Sequence, residues 1–112
     1  MIFVKICQDD KGKIASFTMS GHAEFAEKGQ DIVCAGASAV TFGTINAVIS
    51  LTGITPDIEQ QESGFLSCSV PEDLPADTSE RIQVLLEGMV ISLQTIERDY
   101  KDYINITFTN RG

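Results

Sequence analysis

Apolar residues recur at every second position at the start of the chain, where Ile2, Val4 and Ile6 alternate with Phe3 and Lys5. A polar Asp9-Asp10-Lys11-Gly12 break follows, and Ile14-Ala15-Ser16-Phe17-Thr18-Met19 resumes in strand fashion, so the two runs predict a β-hairpin. From Gly21 to Val33 neither a strand nor a helix period holds. This charged segment with two glycines predicts a mobile loop, of a length that is often functional. After Cys34 the pattern turns small and apolar, with Ala35, Ala37, Ala39, Val40, Ile45, Val48, Ile49 and Leu51. These predict a helix buried around much of its circumference and stopped at Gly53.

Two short strands, Asp57 to Gln61 and Phe65 to Val70, are expected next, joined through Glu62-Ser63-Gly64; Pro71 and Pro75 then mark a loop. Asp77 and Glu80 have the spacing of a capping box, and the helix after them has the clearest pattern in the chain. Ile82, Leu85, Leu86, Met89, Val90, Leu93 and Ile96 form one apolar face, opposite Arg81, Glu87, Gln94 and Glu97. Ile104, Ile106 and Phe108 alternate as a final strand. The order β-β-α-β-β-α-β implies an α+β fold, two helices packed on a small mixed or antiparallel sheet, in a single domain over residues 1–112. Apolar residues on both faces of the first strand, Phe3 beside Ile2, suggest a homodimer.

Composition narrows the function classes. With 8 Lys and Arg against 16 Asp and Glu, the net charge of −8 argues against a phosphate backbone as partner. It suits either a basic protein partner or simple solubility. Cys7, Cys34 and Cys68 are an odd number without zinc spacing, which favours a reduced, cytoplasmic protein. The first residues lack the features of a secretory signal. No apolar stretch is expected to reach the roughly 18–20 residues of a membrane span, so no membrane association is anticipated.

Candidate chemistry centres on one cysteine. Cys68 shares strand parity with Leu66 and Val70 and reads as core filler, and Cys7 reads as structural. Cys34 stands between the loop and the start of the helix, where free N–H groups and a partial positive charge favour a thiolate. His22, the only histidine, lies at the far end of the same loop, where it could act as general base or simply be a lone histidine. Gly21 and Gly29 read as loop hinges, and the amides of Ala35 and Gly36 as an unobstructed oxyanion site or as tight helix packing. Asp31 either orients His22 or favours the helix N-terminus; Ser38, one turn after Cys34, either supports the thiol or is an ordinary first-turn serine. No metal or cofactor is called for.

The blocks Ser20-Gly21-His22-Ala23 and Asp31-Ile32-Val33-Cys34-Ala35-Gly36-Ala37-Ser38 resemble those of the ribosomal-processing cysteine proteases of Firmicutes and their relatives. The resemblance continues through Asn46-Ala47, Leu51-Thr52 and the Met89 to Ile96 stretch. It implies a Cys-His dyad endopeptidase with Cys34 as nucleophile and His22 as general base, acting as a homodimer with a mobile loop over its site. The implied substrate is the N-terminal extension of a large-subunit ribosomal protein whose N-terminal arm approaches the peptidyl-transferase centre, cut after aromatic residues. A non-catalytic ribosome-associated binding or assembly factor using the same cleft is the alternative. A thiol-redox protein is disfavoured because no resolving cysteine lies near Cys34.

Overall fold

The computed structural model describes residues 1–21, 28–61 and 64–110, with the side chains of residues 28–31 left out of the description. Five strands and two helices follow the expected order: β1 Ile2–Gln8, β2 Ile14–Ser20, α1 Lys28–Thr52, β3 Asp57–Gln61, β4 Phe65–Ser69, α2 Ala76–Asp99 and β5 Ile104–Asn110. The sheet is mixed, in the order β3-β4-β2-β1-β5, with β5 parallel to β1 and every other pairing antiparallel. Both helices cover one face. Ile2, Val4 and Ile6 of β1, Phe17 and Met19 of β2, and Leu66 and Cys68 of β4 are buried there against Ile82, Leu86, Met89 and Leu93 of α2. The other face is polar, since Ser16, Thr18 and Ser67 share it with Lys5, and Phe3 is the one large apolar residue standing out from β1. Phe3 is 54% exposed on that face.

α2 is held at both ends. The side-chain amide of Gln83 accepts from the Ile14 amide at 2.8 Å and donates to the Ile14 carbonyl at 2.9 Å, while the Glu97 carboxylate accepts from the Ile106 amide at 2.7 Å. The expected Asp77–Glu80 capping box does not form. Pro75 occupies the N-cap without a side-chain bond, and Asp77 lies in the first turn, where its charge complements the helix dipole. Leu85 and Ile96 are only half-buried, because they flank the stripe that meets the sheet.

α1 departs most from expectation. It begins at Lys28, so residues 28–33 of the expected loop are helical. Among its described residues it is also buried along a single stripe, Val33, Ala37, Thr41, Ile45 and Val48. Gly36 faces Ile96, and the Arg81 guanidinium donates to the Leu51 carbonyl at the other end, so α1 and α2 run antiparallel side by side. Ile32–Thr52 is uncharged, with a mean hydropathy of 1.8, and so meets the length and composition of a membrane span, contrary to expectation. Its packing points elsewhere: the strands before and after it, β2 and β3, belong to one sheet, and its buried stripe joins that sheet's core. Gly53, at φ +74°, closes α1 with its amide on the Ile49 carbonyl at 2.9 Å.

Candidate active site

Cys34, Ser38 and Phe42 recur every four residues on the flank of α1 turned away from α2. Below that flank lie the ends of β1, β2, β3 and β4. Together they enclose a cavity of about 270 Å³ lined by Ile2, Met19, Gly21, Cys34, Ser38, Phe42, Gln60, Gln61, Gly64, Phe65 and Leu66. Its walls are mostly apolar, with two aromatic rings, and its polar atoms come from the thiol, one hydroxyl and the glutamines. That composition suits an apolar side chain held beside a nucleophile. A larger cavity of about 450 Å³ at the opposite end of the sheet, between the β1–β2 turn and the start of α2, has a polar rim and, among the described residues, no cysteine in its lining.

The sequence-expected residues fare unequally. Cys34 and Ser38 are half-buried and line the same cavity. Gly21 lines it too, at φ +86° and packed so closely on the Met1 carbonyl that no Cβ would fit. Only glycine fits there. Gly29 lies in the first turn of α1, not in a loop. His22 and the side chain of Asp31 lie outside the described residues.

The early start of α1 changes the expected electrostatics. Cys34 sits six residues into the helix, about 9 Å along its axis, whereas the terminal field is concentrated in the first turn. For the same reason the amides of Ala35 and Gly36 are interior to the helix, where each turns to a carbonyl four residues back, so they are not the free oxyanion donors expected at a helix start. Thr41, buried below the site, satisfies its hydroxyl on the Ala37 carbonyl at 2.9 Å.

The other thiols contrast with Cys34. Cys68 is 1% exposed, and burial, reinforced by the negative charge of Asp57, pushes its pKa up to about 11, so it remains a neutral, unreactive thiol. Cys7 is half-buried at the irregular end of β1, outside the cavity. Among the described residues no group of His, Cys, Asp and Glu could hold a metal ion. The cavity walls Ile2, Met19, Phe42, Gln60 and Phe65 were not singled out by sequence. Phe42 carried a usable signal, two helical turns beyond Cys34. The others come from separate strands, and no local spacing joins them.

Comparison with known proteins bears on this geometry. The family described as "Cysteine protease Prp" matches residues 1–105. The ribosomal processing cysteine protease Prp of Bacillus subtilis is 52% identical over 99 residues, 88% of each chain. The Staphylococcus aureus protein of that name is 44% identical over 110 residues, 96% of this chain and 99% of its own. The crystal structure of S. aureus Prp with a substrate peptide superposes with a TM-score of 0.87 at 40% identity, covering 97% of this chain and all of that one. A second, with a covalently linked product peptide, gives a TM-score of 0.84 at 41% identity and the same coverage. The chain therefore belongs to the Prp family of cysteine proteases.

Proposed function

We propose that this peptidase removes the N-terminal extension of a large-subunit ribosomal protein, with Cys34 as nucleophile and His22 as its acid-base partner. The observation that carries the reading is that Cys34 and Gly21 line one cavity, so the chain reaches the cavity wall one residue before His22. The names of the relatives, and the covalently linked product peptide in one of them, support both the substrate class and a covalent route. The Cys34 thiolate attacks the scissile carbonyl. His22 protonates the leaving amine, and water activated by His22 then releases the acyl-enzyme. Ser38, one turn from Cys34 on the same cavity wall, positions the reacting group, and Asp31 orients His22.

Cleavage after an aromatic residue is supported by the cavity itself, whose walls of Met19, Phe42, Phe65 and Leu66 match a phenyl ring in size and polarity. The net charge of −8 favours a basic ribosomal substrate, and such a substrate places the reaction in the cytoplasm. The enzyme acts as a homodimer. The uncharged, exposed side of α1, with Ala35, Ala39 and Gly43, is a face that two acidic copies can share without repulsion. In the test, the extended ribosomal protein is incubated with enzyme and its N-terminus read by mass spectrometry. A new N-terminus after an aromatic residue, absent with Cys34→Ala and His22→Ala, is expected. Co-purification without cleavage would instead identify a binding factor.

A further inference from the structure

The two edges of the sheet are treated differently. On β5 the Glu97 carboxylate takes the Ile106 amide at 2.7 Å, which blocks part of that edge against pairing. On β3 all five residues are exposed, and among the described residues no side chain plays the part of Glu97. An open edge of this kind is a template for another strand. This one leads directly to the candidate nucleophile, because Gln60 and Gln61 at its end line the cavity of Cys34.

The surroundings form a track rather than an isolated pocket. Ile58 and Gln60 are in register with Cys68 and Leu66, so they share the helix-side face of the sheet. At the Gln60 end, across the cavity, lies the flank of α1 that carries Cys34, Ser38 and Phe42. A chain laid along β3 would thus have the sheet edge on one side and meet the reactive flank where it passes Gln60 and Gln61. Every second side chain would turn toward the cavity. The alternate positions would turn toward the opposite face, beside Asp57 and Glu59, which are in register with Ser69 and Ser67.

We propose that the substrate peptide binds as a sixth strand on the free edge of β3, which delivers its scissile bond to Cys34 and favours basic residues at the positions beside Asp57 and Glu59. This deepens the peptidase reading and rests on it. Strand addition supplies affinity through main-chain hydrogen bonds and leaves selectivity to alternate side chains. The substrate peptide in a relative's structure makes a peptide the natural occupant of this edge.

The test has two arms. In the first, a cleavable peptide is N-methylated at one backbone amide at a time. Loss of kcat/KM of about tenfold at every second position, extending several residues from the cut, is expected, since each methyl removes one main-chain hydrogen bond. Losses confined to the residues flanking the scissile bond would overturn strand addition while leaving the peptidase reading intact. In the second arm, amide exchange of β3 is followed in the Cys34→Ala protein at saturating peptide. Alternate amides from Asp57 to Gln61 should gain protection, and unchanged exchange along β3 overturns the proposal whether or not the wild-type enzyme cleaves. Failure to cleave any peptide, with β3 protected, would overturn only the peptidase reading.

Discussion

Gly21 offers a sharp test of how the backbone sets the site. It has φ +86°, and a Cβ there would meet the Met1 carbonyl oxygen well inside the 3.0 Å that real contacts respect. Neither partner yields easily. The Ile2 amide is bonded to the Tyr103 carbonyl at 2.8 Å, and Ile2 is registered with Ile104, so the start of β1 is pinned from the β5 side. Gly12 at φ +82° and Gly53 at φ +74° share the left-handed backbone but have nothing within 4 Å of an added Cβ. Alanine at Gly12 or Gly53 should therefore cost about 1–2 kcal/mol, the left-handed penalty alone. Gly21→Ala adds an overlap worth about 1–3 kcal/mol, for about 2–5 kcal/mol in all. Strain relieved by moving residue 21 outward also displaces the residue that follows it, His22, so kcat/KM should fall at least tenfold. Urea unfolding of the three variants, with cleavage rates alongside, provides the assay. The reasoning is refuted if Gly21→Ala unfolds at the same urea concentration as Gly12→Ala and cleaves like wild type.

Other expectations follow from single contacts. Because the Cys68 pKa is raised from 9.0 to about 11 in the fold, its neutral thiol contributes fully below pH 9, and the unfolded chain ionises first as pH rises. Relative to Cys68→Val, the protein should lose about 2–3 kcal/mol between pH 9 and 11, and parallel pH profiles in chemical denaturation would contradict this. Phe42→Ala should raise KM for a substrate with an aromatic anchor by about tenfold, with Phe42→Leu intermediate, in steady-state kinetics on peptides. Glu97→Ala should destabilise the fold by about 1–2 kcal/mol through the orphaned Ile106 amide, and Glu97→Gln, which keeps an acceptor oxygen, should recover most of it in thermal melts.

What the sequence revealed follows from how strongly each segment couples pattern to environment. α2 was legible because Ile82, Leu86, Met89 and Leu93 bury large side chains at helical spacing, and the hairpin because β1 alternates so cleanly. The start of α1 was hidden. Gly29 disfavours helix by about 1 kcal/mol relative to Ala, yet Val33, 1% exposed, anchors the turn before Cys34 in the core, and packing overrides propensity. The exposed side of α1 was hidden as well, since alanines such as Ala35 and Ala39 are counted as apolar but accept either environment. Cys34 stood out as the cysteine outside strand parity. Its cavity did not, because Met19, Gln60 and Phe65 meet only through sheet order β3-β4-β2.

The central claim, that Cys34 attacks the substrate carbonyl, is tested most directly by a covalent trap. A peptide carrying an electrophilic ketone in place of the scissile carbonyl is incubated with the wild-type enzyme, and the adduct is mapped by fragmentation mass spectrometry. One adduct per chain on Cys34, formed quickly and prevented by an excess of uncleaved substrate, is the expected result; modification of Cys7 instead, or no adduct while cleavage proceeds, would contradict it.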